Sequence, residues 1–309
     1  MTSFVTTPHT QAFGVSAASE FQARIDALWV FPVKSCAGIP VQEALLTDKG
    51  LAFDRAWMVV DAEGEMLTQR ELPRMALIQP ELPPTESNTP ELVLHASGMA
   101  ALCVSLDVPK TVKTQARVWN DVVPAFDMGE AASVWLTQFL GDGFGPLRLV
   151  RFDETHPRLA SPQWTQGVQA LNQFSDGFPV LVASTASLDS LNARLAQQGV
   201  AAVDMRRFRA NVVLAGVQAH DEDRVGLMTF ATEGEPVQLN PVKPCPRCPI
   251  PNINPDTAEA TPAVGDTLQA YRQDARVKGA VTFGMNAIVL SGVGQVLRVG
   301  QRVSADWAF

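Results

Sequence analysis

The residues of this chain best equipped for chemistry are two cysteines three apart, in Pro241-Val-Lys-Pro-Cys245-Pro-Arg-Cys248-Pro-Ile-Pro251-Asn. The prolines fix φ and remove backbone donors, which predicts a stiff loop, neither helix nor central strand, that presents thiols. Three chemistries could use it. A thioredoxin-type redox pair stands at a helix N-terminus, whose dipole lowers the thiol pKa, and Pro249 and Pro251 disfavour a helix there. A structural zinc site needs four ligands, and no second cysteine pair or His-x-x-x-His accompanies this one. Ligation of a soft transition metal by one thiolate, with the other ligands supplied by a cofactor, needs only one cysteine on a rigid, partly shielded loop. Spacing does not choose among these. The bland alternative, a small buried apolar residue, is the expectation for Cys36 and Cys103.

These thiols must be positioned by a strand-rich fold. Short apolar runs broken by turn residues predict strands in Ile25–Ser35, in Arg55–Leu67 with a turn at Glu63-Gly64, and in Pro90–Gly98. Ala132, Trp135, Leu136 and Phe139 make one apolar face of a helix over Gly129–Leu140. The Gly- and Pro-dense stretch 141–146 predicts a domain boundary, with a new strand in Arg148–Phe152. Further on, Ser184 or Thr185 can cap a helix carrying Leu188, Leu191 and Leu195 and stopping near Gly199. A strand over Phe208–Gly216 follows, Asp266 with Gln269 resembles a capping box, and Val281–Leu290 and Gly294–Val303 read as closing strands. The expected organisation is a loosely ordered lead-in over 1–22, one β-rich domain over 23–145 and a second over 146–309.

Bulk properties narrow the function. A hydrophobic content of 46% with 18% charged residues is that of an ordinary folded protein. The net charge of -8 repels phosphate backbones and anionic headgroups, so neither nucleic acid nor membrane is an expected partner. No apolar run approaches the roughly 18 residues that cross a bilayer, and the N-terminus has no signal-peptide pattern, which predicts a cytoplasmic location. Four cysteines are too few for a disulfide scaffold and suit a reducing cytosol. No histidine adjoins the cysteine segment or Lys34, and His156 and His220 are expected at the surface.

Several ordered motifs together resemble one family. Cys245-Pro-Arg-Cys248-Pro-Ile-Pro-Asn-Ile-Asn-Pro255-Asp256-Thr257, with Phe208-Arg209-Ala-Asn211 upstream and Phe283-Gly284 downstream, resembles the MOSC domain of molybdenum-cofactor sulfurase C-termini and amidoxime-reducing proteins. Val-Phe31-Pro-Val-Lys34-Ser35-Cys-Ala-Gly38, Gly50-Leu51, Asp54-Arg55-Ala-Trp57-Met-Val and Thr68-Gln-Arg70 resemble its companion N-terminal β-barrel domain. The resemblance runs from about Ile25 to Val303. It implies an α+β, β-rich fold: an N-terminal β-barrel-like domain packed on a MOSC β-barrel domain with a few helices.

The resemblance also implies a molybdenum–molybdopterin cofactor whose metal is held by Cys248, with Cys245 in support. Lys34, Ser35 and Arg55 match positions that hold the anionic phosphate end of the pterin, a role their donors suit; the plain alternative for Lys34 and Arg55 is surface ion pairing. Ser175, Asp176 and Gly177 match a loop that approaches the pterin, or else form a simple turn. Arg209 and Asn211, two apart on an expected strand, would share a face toward the heterocycle. Arg247 would bond the cofactor or face solvent. At Asn286 the eukaryotic members carry Tyr, and a cofactor contact is expected there.

The implied activity is reduction of N-hydroxylated or N-oxygenated small molecules. The alternative is a cofactor carrier or sulfuration module without turnover. The eukaryotic members' membrane-targeting N-terminus and the plant-type ferredoxin domain of some bacterial members are missing from this sequence, so the expected electron donor is a separate ferredoxin- or flavin-type protein.

Overall fold

The computed structural model describes residues 21–83, 90–106 and 112–308, so the lead-in expected over 1–22 lies almost wholly outside the described residues. The first strand, Phe21–Val30, opens a closed barrel of seven strands. Around it run Val180–Ser184, Val212–Ala215, Phe21–Val30, Arg302–Trp307, Val225–Phe230, Val237–Pro246 and Ala280–Ser291, which pairs back onto Val180–Ser184. Each neighbouring pair is antiparallel except Val180–Ser184 with Val212–Ala215, and a parallel pair needs a crossover. The crossover contains the helix Thr185–Gln197, N-capped by Ser184, whose side chain accepts from the Ser187 amide. Alternate residues of these strands fill the barrel, among them Ile25, Leu28, Val182, Leu214, Met228, Leu239 and Val303, all essentially inaccessible to solvent.

A second core lies between a four-stranded sheet, a three-stranded sheet and the helix Glu130–Leu140, which buries Ala132, Trp135, Leu136 and Phe139. The molecule is thus β-rich with a few helices. The sheets do not divide the chain at 145/146. Arg148–Phe152 pairs with Trp57–Val60 and Asp121–Asp127, whereas Phe21–Val30 belongs to the barrel of the later half. Turn residues mark where a chain bends, not which sheet receives the next strand.

Three local expectations are corrected. Cys245 is the next-to-last residue of a barrel strand, Val237–Pro246, although three of that strand's last six residues are Pro; bulges at Pro241/Lys243 and Pro244/Pro246 let it pair without those amides. Asp266 caps nothing, because the helix Ala263–Gln269 begins after Pro262 and Asp266 already lies inside it. Gly294–Val303 divides at Gly300 (φ 86°) into Val296–Arg298, paired with Glu43–Thr47, and the barrel strand Arg302–Trp307.

Candidate functional site

A cavity of about 190 Å³ opens between the two cores. Its lining includes Lys34, Ser35, Arg55, Ser175, Asp176, Gly177, Arg209, Asn211, Arg247, Cys248 and Asn286, so residues from six separate stretches of sequence converge there. The sequence reading missed Thr68, Arg70, Lys243 and Cys245 as lining residues. Six of the lining side chains are cationic and one, Asp176, is anionic, in a chain whose net charge is -8. Such a concentration of donors in an acidic protein suits a polyanionic ligand.

One wall is braced by the protein itself. Lys34 follows the first barrel strand and is 6% exposed; its Nζ donates to Phe174 O at 2.8 Å and to Asp176 Oδ1 at 2.6 Å. Burial lowers the Lys34 pKa against the opposing pull of Asp176. Two of its three donor hydrogens are thereby engaged and one stays available. Asp54, 1% exposed, accepts from the Phe31 amide at 2.8 Å, from Asn211 Nδ2 at 2.9 Å and from Arg55 Nη1. Arg55 also donates to Asn211 Oδ1 at 3.2 Å and to Arg209 O at 3.0 Å. Asn211 further joins Trp29 O and the Leu181 amide. Lys34 and Arg55 are therefore ion-paired: Arg55 with the buried Asp54, and the buried Lys34 ammonium with Asp176, whose own side chain is exposed. Asn211 is a brace between strands, its amide group spent on protein partners.

The expected strand alternation of Arg209 and Asn211 is absent, because the strand starts only at Val212 and Arg209 takes a left-handed conformation (φ 59°). The Arg55 and Arg209 guanidinium groups each lie 4.4 Å from the Phe31 ring centroid. Gly38 permits this: a Cβ there would stand 2.4 Å from that ring.

A second set of lining residues, which meets the first at the shared Phe31 ring, is less satisfied. Arg209 donates through Nη1 to Cys36 O at 2.5 Å, while its Nη2 is buried without a partner. Burial, reinforced by the like charge of Arg55, pulls the Arg209 pKa down to about 9. Arg247 donates to Phe208 O at 3.0 Å and to Cys245 Sγ at 3.2 Å, and its Nε is buried and unpaired. Ser175 Oγ is likewise buried and unpaired. Its loop is clasped from behind by Arg158, 6% exposed, which donates to Asn172 Oδ1, Gln173 O and Ser175 O. Nothing in the sequence marks Arg158, since its partners lie 14 to 37 residues away, three on the far limb of a loop and one, Asp121, on an earlier strand. A Cβ on Gly177 would meet nothing within 4 Å. Asn286 stands in register between Leu181 and Lys243 on adjoining strands, which puts all three on the cavity floor.

The two thiols differ. Cys245 Sγ accepts from Arg247, whereas Cys248, two residues beyond the strand end and partly buried, has no hydrogen-bond partner among the described residues. Cys36 is fully buried, and burial pushes its thiol up to about 12; Cys103 is exposed, contrary to expectation, because its strand turns that face to solvent. No three His, Cys, Asp or Glu side chains gather to hold a metal among the described residues, so Cys248 has no protein co-ligands of the kind zinc requires. His220 is also displaced from the expected surface: its ring nitrogens are buried behind the stacked rings of Phe208 and Phe283. It does not line the cavity.

Residues 22–143 match the MOSC N-terminal beta barrel domain and residues 170–304 the MOSC domain. The chain is similar to human mitochondrial amidoxime-reducing component 1, at 35% identity over 80% of this chain and 71% of that protein. It is also similar to the human mitochondrial amidoxime reducing component 2, at 33% identity over 79% and 71%. Human molybdenum cofactor sulfurase aligns at 28% identity over 90% of this chain and 31% of its own length. The chain therefore belongs to the family in which a MOSC domain follows a MOSC N-terminal β-barrel domain, the family of the amidoxime-reducing components.

Proposed function

We propose that this protein is a molybdenum-cofactor-dependent reductase of N-hydroxylated or N-oxygenated small molecules, with the Cys248 thiolate as its ligand to the metal. The observation that carries the reading is one cavity in which an unengaged thiol faces a cationic wall with three buried polar groups lacking partners, Arg209 Nη2, Arg247 Nε and Ser175 Oγ. Buried polar groups are almost always satisfied, so these fit a bound group that accepts several hydrogen bonds and carries negative charge. Lys34, Ser35, Arg55 and Arg209 would hold the phosphate end of the pterin, while Asn286, Arg247 and the Ser175–Gly177 loop would line the heterocycle. The bound cofactor supplies the two-electron redox chemistry.

Reduction of an amidoxime to an amidine breaks the N–O bond, takes up two electrons and two protons, and releases water. The electrons come from a separate ferredoxin- or flavin-type donor protein. The protons come from solvent, because the one carboxylate lining the cavity, that of Asp176, is held by Lys34 and by Trp119 Nε1 at 3.1 Å. Among the described residues no helix is long and apolar enough to cross a membrane.

The likeness to molybdenum cofactor sulfurase over 90% of this chain favours a second reading, a cofactor carrier or sulfuration module without turnover. Protein made in a host that synthesises the cofactor separates the two. Near-equimolar molybdenum and pterin together with reduction of a hydroxylamine-type compound by a chemical reductant is the expected result. The same loading without turnover makes the chain a carrier, and zinc without pterin overturns both readings.

A further inference from the structure

The cationic cavity is small, and under the proposed function the cofactor itself occupies it, so the organic body of a substrate must lie elsewhere. Two recesses adjoin it. One of about 370 Å³ is walled by Arg206, Arg207, Arg209 and Asp256 and suits a charged group. The other, of about 350 Å³, is lined by Pro73, Pro249, Ile253, Ala260 and Pro262, with Arg70 at its junction with the cationic cavity. Since Pro249 directly follows Cys248, this apolar recess abuts the proposed metal ligand.

The recess is built to keep its shape. Asn252 Oδ1 accepts from the Gly265 amide at 2.8 Å, the Thr261 amide donates to Asn252 O at 3.0 Å, and Ile253 bridges Ala260. Arg70 is fixed by Thr68 Oγ1 at 3.0 Å and by the Trp119 ring, 4.5 Å from its guanidinium carbon. Trp119 holds a left-handed conformation (φ 57°) at a hairpin tip and is tied to Asp176, so the stacking partner of Arg70 is itself anchored at the cavity mouth.

We infer that this recess receives the body of the N-hydroxylated substrate and selects uncharged apolar or aromatic bodies. The inference rests on the proposed function. Three features argue for it: proline, isoleucine and alanine side chains line the recess beside the uncharged Gln69, Asn252 and Thr261, no carboxylate lines it to balance a cationic body, and Arg70, whose carboxylate partner Glu71 stands 3.9 Å away outside the recess, repels one. Its volume suffices for a substituted ring, given that roughly 150 Å³ accommodates benzene. The same charge pattern serves turnover, because a neutral amidoxime enters and a protonated amidine leaves beside Arg70.

The test compares benzamidoxime, acetamidoxime and 4-(aminomethyl)benzamidoxime on the cofactor-loaded enzyme, with calorimetric binding of benzamidoxime measured separately from turnover. Wild type should prefer benzamidoxime to acetamidoxime by about tenfold in kcat/KM, mostly through KM, the order expected for burying one ring. Ala260→Trp should collapse that ratio and weaken benzamidoxime binding about tenfold, and Thr261→Asp should shift preference toward the aminomethyl compound. Turnover whose benzamidoxime preference is untouched by both variants would overturn the recess while leaving the reductase intact. Binding that both variants perturb, without any turnover, would keep the recess and sink the reductase.

Discussion

The two walls of the cavity solve the problem of buried charge in opposite ways. On the Lys34–Arg55 side each cation has a carboxylate or carbonyl within the protein, and Asp54 alone accepts from three groups. On the Arg209–Arg247 side the guanidinium groups find only neutral acceptors, leave donors unpaired and stand beside an unengaged thiol. The first arrangement is braced by the protein before any ligand arrives and keeps one Lys34 donor for a phosphate; the second is unfinished without a ligand. An uncompensated buried charge is tolerated where a partner arrives later, which places the specificity for an anionic ligand on the second wall.

The largest break in that comparison is at the thiols. Cys248→Ser is expected to abolish metal retention and reductase activity, whereas Cys245→Ser, whose sulfur accepts from Arg247 and donates weakly to Pro246 O, should keep most of both. Metal content of the two purified variants decides it, and equal loss from both would make the pair a joint site.

Next comes the braced wall. Asp54→Ala strands Arg55, Asn211 and the Phe31 amide together, and removing one partner of a buried pair costs about 3–5 kcal/mol. The cofactor-free protein should show that loss in urea unfolding, and a loss below about 1 kcal/mol would mean the wall is not braced as described. Arg209→Met should act the other way round. Stability of the cofactor-free protein holds or rises as a poorly compensated charge is removed, while pterin retention during gel filtration falls about 10- to 100-fold, the worth of charge-assisted hydrogen bonds. Destabilisation comparable to Asp54→Ala would put both walls in the same class.

How much of this could be read from the sequence follows the range of the interactions. Local signals were legible: the apolar periodicity of Glu130–Leu140, the Ser184 cap and the turn at Gly64 are written within a few residues. The lining of the cavity was legible through motif resemblance, which carried Lys34, Arg55 and Cys248 to one place although no spacing rule links them. Asp54 stood in a quoted motif without a role, because its three partners lie up to 157 residues away. The Pro-rich segment misled because proline penalties assume a regular ladder, and bulges let Val237–Pro246 stay paired in the barrel. Arg70, like Asp54, stood in a quoted motif without a role, and Arg158 gave no signal, since a positioning arginine is defined by its partners in space.

The smallest effect tests whether an unbalanced buried charge is costly where no cavity awaits a ligand. Glu222 is fully buried and accepts from Ser184 Oγ at 2.9 Å and Ser187 Oγ at 2.6 Å, with no cation paired to it among the described residues. Burial pushes its pKa up from 4.5 to about 6, with neighbouring Asp223 adding to the rise. A carboxyl with a raised folded-state pKa favours folding while protonated, so its contribution is full below pH 4.5 and is lost as pH rises through about 6. The total is bounded at about 2 kcal/mol. Glu222→Gln should therefore match wild type near pH 4.5 and exceed it by up to about 2 kcal/mol at pH 7, read as the difference between two thermal-unfolding series across that range. Parallel series would mean that the two serine hydroxyls alone compensate the carboxylate, and that buried charge in this fold carries no cost for the second wall of the cavity to recover.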